Sequence, residues 1–381
     1  ERLSDNLFWD GAAFTSATEV FNTATFTDPD WTYPLDAAAL TDGISYTVHA
    51  RATDDAGNVE TSPTATFTVD TSAPTTTITF PVDSTSYNVD GWNDGCGTAA
   101  VGDICGTATD SGSGVNIVQV SIERLSDNLF WDGAAFTSAA EVFDTATFTD
   151  PDWTYPLDAA ALTDGVSYTL RAQAKDKAVN ANVGIPATAT FTFDTTDPDT
   201  TIDSGPPDPS NSTSATFTFS SNEGGSTFEC RLDSILEVDF ATCSSPKPYS
   251  ALTEGSHTFD VRATDPAGNT DSTPASQTWT VDLTEPVTTI TSGPPDPSAS
   301  TSATFEFSSN EGGSTFECRL DSILEVDFAS CSSPKPYSAL TEGSHTFDVR
   351  ATDPAGNTDS TPASQTWTVD TVASAEPAFT G

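Results

Sequence analysis

Apolar and polar residues alternate with a period of two over much of this chain, which is the pattern of strands that bury one face. Val261 and Ala263 point one way while Arg262 and Thr264 point the other, and Trp279 and Val281 do the same beyond a polar loop containing Pro266 and Gly268. This predicts a hairpin. The stretch Val261–Asp282 returns unchanged as Val349–Asp370 and in looser form as Val48–Asp70. Asp70 and Asp282 are each followed four residues later by Pro, which stops a strand and starts a linker. Phe217 and Phe219 oppose Thr216 and Thr218, and Phe228, Cys230 and Leu232 share a face opposite Glu229 and Arg231, so Cys230 is expected inward. No helical period appears. The expected fold is all-β, with about seven short strands in each β-sandwich module.

Internal repetition sets the module boundaries. Residues 199–282 and 287–370 align without a gap and differ only at Asp199/Val287, Asp203/Thr291, Asn211/Ala299, Thr218/Glu306 and Thr242/Ser330. The segment from Glu1 matches the one from Glu123, with two extra residues in the later copy before Asp194. The reading is a partial module at 1–72, a complete one of the same type at 73–196, shorter modules at 197–284 and 285–372, and a linker or tail at 373–381. The complete module opens with strand-like TTTITF, DICGTAT and VNIVQVSI, which the first lacks. Its missing strands are expected either upstream in a longer polypeptide or from a neighbouring subunit. Absence of any Met fits a mature or partial piece. Four such modules end to end would reach on the order of 120–160 Å, an extended rod.

Charge narrows the partners. Acidic residues number 56 against 12 basic ones, a net charge of −44 spread along the chain, which makes nucleic acid a poor partner. No run approaches a membrane segment, and no signal-peptide pattern opens the chain. The six Cys fall in close pairs, Cys96 with Cys105, Cys230 with Cys243 and Cys318 with Cys331, a disulfide arithmetic that places the chain outside the reducing cytosol. Zinc would want tighter spacing with further Cys or His nearby. The Gly- and Asp-rich loop Asn88–Gly102 is expected to need the Cys96–Cys105 tie for order.

LTDGISYTVHARATDDAGN and LTEGSHTFDVRATDPAGN, each leading to a TVD ending, resemble the bacterial immunoglobulin-like repeats of large secreted adhesins and surface proteins. The series Leu40, Gly43, Tyr46, Val48, Ala50 is similar to the same corner of fibronectin type III modules. That resemblance implies tandem immunoglobulin-like sandwiches of a kind carried by extracellular and cell-surface proteins, and it identifies the module rather than its job. It also implies calcium at module junctions, since hard cations want several oxygen ligands. The candidates are Asp54, Asp55, Asn58 and Asp70 in the first module, Asp265, Asn269 and Asp282 in the third, and Asp353, Asn357 and Asp370 in the fourth. The competing reading makes D-P-A-G-N a plain turn. In the second module AKDKAVNANVGIP brings Lys175 and Lys177 into this loop, which should hold a cation least well.

Catalytic patterns are missing. Asp28 and Asp30 flank a Pro and read as a turn entering a strand, and there is no Gly-x-Ser-x-Gly, His-Glu-x-x-His or phosphate loop. His257 and His345 open strands, where a lone His is usually a surface or edge residue. Asn211-Ser212-Thr213 is the one Asn-linked glycosylation acceptor, and Thr-rich strand faces permit O-linked sugar. The expected function is a fibre, stalk or adhesin shaft that self-associates or contacts neighbouring modules. The alternative is a spacer or carbohydrate-contacting accessory of a secreted enzyme, whose evidence would be Trp9, Trp31, Trp131 and Trp153 on one open face.

Overall fold

A computed structural model describes residues 1–61, 63–97 and 102–372; the expected linker or tail at 373–381 lies outside them. The chain divides into two compact units, one of residues 1–197 with 266–269, the other of 198–265 with the residues from 270 onward.

In the second unit the period-two alternation produces two sandwiches of the same design. In the later one a three-stranded sheet, Thr288–Ser292, Ala303–Ser309 and Lys335–Tyr337, packs on a four-stranded sheet ordered Ala329–Cys331, Thr315–Leu320, Gly343–Thr352, Ala363–Val369. Inward positions carry the large rings. Phe305 stacks on Phe347 with centroids 4.1 Å apart, and Trp367 meets Phe305 edge-on at 5.1 Å, the offset and T-shaped contacts that aromatic quadrupoles favour. Outward positions carry hydroxyls, as where Thr346 and Thr366 meet at 3.0 Å across the strands. Phe217, Phe259 and Trp279 repeat this core in the earlier sandwich. Cys230 is buried as expected and bonded to Cys243, and Cys96–Cys105 and Cys318–Cys331 are bonded likewise.

The histidines differ from expectation: His257 and His345 are buried. His257 Nδ1 lies 2.7 Å from Asp233 Oδ2 and Nε2 lies 2.8 Å from the Thr253 carbonyl, with the ring tilted over Trp279. Both partners only accept, so the geometry is satisfied by the doubly protonated ring. The Thr253 carbonyl and then the Asp233 carboxylate raise the pKa of His257, and Thr341 and Asp321 do the same for His345. A raised folded pKa contributes stability that is complete below the unfolded value and lost as pH climbs through the folded one. The melting temperature of these two modules is therefore expected to fall as pH rises above the ordinary histidine value of about 6.5. The double variant His257→Gln/His345→Gln should flatten that slope; an unchanged slope would assign it to other groups.

In the first unit the second module has one sheet ordered Phe136–Ser138, Leu129–Trp131, Val115–Arg124, Val166–Asp176, Ala187–Phe193, Thr85–Tyr87, with Asp144–Thr145 also on Val115–Arg124. The opposing sheet runs Thr147–Thr149, Asp152–Pro156, Asp103–Thr109, Thr75–Phe80. The loop after Asn88 contains a helical turn, Val89–Asn93, too short for its period to register in the sequence. Asn88 caps it through Gly91 N–H at 2.8 Å. Fully buried Trp92 anchors it, donating to the Leu157 carbonyl at 2.9 Å and stacking on Phe191, so this segment has a hold beyond its disulfide. Among the described residues the strands of the first module form three hairpins, Phe8–Trp9 with Phe14–Ser16, Thr25–Thr27 with Asp30–Thr32, and Ser45–His49 with Thr64–Thr68, with Arg2 bridging to Leu7 and Tyr46. Among the described residues no helix is long and apolar enough to cross a membrane.

Candidate metal centre

Within each of the two units, strand ends bring carboxylates together. Asp70 follows the last strand of the first module, Asp110 follows Asp103–Thr109, and Asp176 ends Val166–Asp176. One carboxylate oxygen from each lies within 4.8 Å of the other two. In the second unit Asp282, Glu311 and Asp353 follow Ala275–Val281, Ala303–Ser309 and Gly343–Thr352 and meet within the same limit. Each set thus combines the terminal Asp of one module with an acid from each of two loops in the next.

Backbone amides orient these side chains. Asp70 Oδ2 accepts from Ser113 N–H at 2.7 Å, and Asp110 Oδ2 accepts from Gly112 and Gly114 N–H at 2.9 and 2.8 Å. A Cβ at Gly112 would stand 2.3 Å from Asp70 Oδ1, so a larger residue there would displace that carboxylate. Asp110 Oδ1 is buried with no hydrogen-bond partner, an arrangement that costs free energy unless something positive faces it. Hydrogen bonding from Ser113 holds the Asp70 carboxyl below its ordinary value, while desolvation and then the Asp282 and Asp353 charges push Glu311 up. Like charges held this close repel one another. Hard oxygen donors without His or Cys suit calcium or magnesium rather than zinc, and three carboxylates leave room for water to complete a calcium shell.

The structure redistributes the expected ligands. Asp70, Asp282 and Asp353 enter these sets. Asp110, Asp176 and Glu311 were not expected, and Asp176 comes from the very loop whose Lys175 and Lys177 argued against it. The physical reason is alternation along the strand end: Asp176 is fully buried, with Oδ1 accepting from Ala178 and Asn182 N–H, whereas Lys175 is half-buried and Lys177 exposed. Asp54 keeps to its own turn, bonding Asn58 through backbone and side chain at 2.7 Å each, and Asp55 beside it is exposed. Asp370 accepts from Val372 N–H.

The asparagines act as clamps. Asn357 Nδ2 donates to the Asp282 carbonyl at 2.9 Å and to Asp353 Oδ2 at 2.8 Å. Asn182 makes the equivalent bonds to the Asp70 carbonyl and Asp176, and Asn269, from the loop partly grouped with the first unit, reaches the Asp194 carbonyl at 2.9 Å. Asp265 is buried. Asn211 is exposed, but its Nδ2, the atom a glycan would take, lies 3.3 Å from where a Cβ on Gly356 would be. Trp153 is buried, Trp9 and Trp131 are half-buried with Nε1 on Tyr33 and Tyr155 at 3.1 and 2.9 Å, and Trp31 is exposed.

The sequence model of the bacterial Ig-like domain matches residues 12–71. No curated protein matches the chain. Among solved structures, a tetra-tandem repeat from the extending region of a large adhesion protein is 20% identical, with 90% of this chain and 85% of that one covered and a TM-score of 0.29. A chain from a 1.5-MDa bacterial ice-binding adhesin is 15% identical over 78% of this chain and 98% of that one, TM-score 0.37. The fibronectin(III)-like modules of Clostridium thermocellum CbhA are 19% identical over 55% and 94%, TM-score 0.30. Residues 12–71 thus match a bacterial Ig-like domain, their sequence is repeated from Glu123, and two further sandwiches follow in tandem in the second unit.

Proposed function

We propose that this chain is a length of an extracellular shaft, a non-enzymatic fibre, stalk or adhesin segment whose module junctions are stiffened by calcium. The observation that carries the reading is the recurrence of one junction design, a terminal Asp, two loop acids and a clamping Asn, at 70/110/176/182 and at 282/311/353/357. The sequence places the same residue types at Asp194, Glu223, Asp265 and Asn269. A cation shared by the end of one module and two loops of the next resists bending between them, which suits a protein that spans distance. The three disulfides support an oxidising compartment. Lateral or end-to-end self-association and glycan decoration belong to the same reading, and the Asn211 position implies that an Asn-linked glycan would compete with the contact to Gly356.

The sign of one substitution tests it. Asp282→Asn/Glu311→Gln should leave the metal-free protein as stable or more so, because repulsion is relieved, and should abolish the gain that calcium gives the unaltered chain. That gain is about 2.7 kcal/mol at a hundredfold excess over Kd. Melting curves with calcium and with chelator read both effects, and small-angle scattering reads the maximum dimension. Identical curves with and without calcium would remove the metal from the proposal. A compact, chelator-insensitive scattering profile would remove the shaft.

A further inference from the structure

Each of the two shorter sandwiches holds three aliphatic side chains out in solvent on a loop that is otherwise fastened. Ile235, Leu236 and Val238 are 91%, 58% and 85% exposed, and Ile323, Leu324 and Val326 are 92%, 57% and 85%. In the third module the loop joins Thr227–Leu232 to Ala241–Cys243, strands that pair with each other and are tied by the Cys230–Cys243 bond. Phe240 closes the loop on the outward face of the sheet, buried with the Arg231 and Arg262 guanidinium groups 4.3 and 4.2 Å from its ring. Arg231 also donates to the Leu236 carbonyl at 3.2 Å, the Leu236 N–H donates to Ser234 Oγ at 3.1 Å, and Glu237–Asp239 form a short helical turn. The backbone is set, and the aliphatic side chains stand in water.

The charge around this apolar patch has one sign. Residues 232–243 contain Asp233, Glu237 and Asp239 and neither Lys nor Arg. The two arginines beneath the loop are already paired, Arg231 with Asp260 at 2.8 Å and Arg262 with Glu229 at 2.8 Å and with Glu237. His257 faces Asp233, so five carboxylates still outnumber the three cations among them. Beside Ile235 lies an open cleft of about 460 Å³ whose floor carries Ser256 and Thr258 and whose ends carry Asp233 and Asp260. A chain of net charge −44 repels a second copy of itself and an anionic lipid surface alike. The charge complement of this patch is a cation.

We propose that the loops at 233–240 and 321–328 are docking knobs for a cationic amphipathic polypeptide. Its apolar side chains cover Ile235, Leu236 and Val238, and a Lys or Arg side chain enters the cleft between Asp233 and Asp260. The fourth module offers the same site through Ile323, Leu324 and Val326 with Asp321 and Asp348, since Arg319 holds Asp348 and Arg350 holds Glu317 and Glu325 in the same way. Exposed apolar surface rimmed by polar groups marks interaction sites. A loop already ordered by its disulfide and by Phe240 loses little further freedom on binding. The acidic rim steers an oppositely charged partner and turns away acidic ones, while apolar burial holds it.

The test gives the full chain two synthetic peptides of equal length and charge, one alternating Lys with Leu and the other alternating Lys with Ser. Expected are one Lys-Leu peptide per loop, an affinity about tenfold or more above that of the Lys-Ser peptide, and slowed amide exchange at 233–239 and 321–327. Added salt should weaken both peptides and leave the Lys-Leu one the tighter. The variant Ile235→Ser/Val238→Ser/Ile323→Ser/Val326→Ser alters only side chains that stand in solvent, so it should melt as the unaltered chain does and bind the two peptides alike. The proposal fails if this variant keeps the preference, if the unaltered chain shows none, or if protection appears away from the loops. It fails also if a neutral Leu-Ser peptide binds as tightly as the Lys-Leu one. A dimer of the chain alone that the variant abolishes would make a second copy the occupant, and flotation with phosphatidylcholine vesicles that the variant abolishes would make it a lipid. Either result overturns the proposal.

Discussion

Phe347→Ala is expected to cost the fourth module about 3–5 kcal/mol, the range for emptying a fully buried aromatic site. Phe347 has no exposed surface and touches three rings, Phe305 at 4.1 Å and Tyr337 and Phe307 at 5.9 and 6.0 Å. Neighbours held by a disulfide and two sheets relax little into the void, which favours the upper part of that range. In a domain of this size each kcal/mol moves the melting temperature by roughly 4–8 °C, so a shift on the order of 15–30 °C follows. The informative part is what stays still. The third module has Phe259 in the same surroundings and an almost identical sequence, so calorimetry of the full chain should show one transition falling away from its twin. A common fall of both would mean that the modules unfold as one body, and the tandem description in which each buries its own core would fail.

What the sequence disclosed and what it hid divide by distance along the chain. Strand alternation is local, so Val261, Ala263 and the inward Cys230 were legible from a few residues. The closed pairs of Cys were legible for the same reason. A carboxylate set assembled from positions 70, 110 and 176 is not local. Only its first member lies in a repeated ending, and the loop acids Asp110 and Glu311 look like ordinary turn residues, though Glu311 returns as Glu223 in an identical N-E-G-G-S context. The Asp–Asn turn was legible as a turn, but its amide serves as a donor that fastens one module's last carbonyl to the next module. His257 misled because its partner Asp233 sits 24 residues away at a left-handed turn residue with φ 55°, and neither the pairing nor the burial it permits leaves a mark near the histidine.

Removing a disulfide is expected to have the second largest effect. Cys318→Ala/Cys331→Ala should cost the fourth module about 2–3 kcal/mol, since closing a loop of roughly fifteen residues restricts the unfolded chain by about 3 kcal/mol. The closed segment has little packing of its own. Ile323, Leu324 and Val326 are exposed, and its inward anchor is Phe328, capped by the Arg319 and Arg350 guanidinium groups at 4.4 and 4.3 Å. Glu325 and Glu317 hold Arg350 in place, yet exposed ion pairs contribute little. Amide exchange should therefore accelerate across residues 321–330 before the sheets are affected. If that segment keeps its protection without the bond, the two arginines on Phe328 hold the loop, and the disulfide acts on the unfolded chain alone. The two cases differ for a shaft. In the first, reduction exposes a nicking site on every such module while the core stays folded; in the second, it lowers global stability and leaves the folded surface as it was.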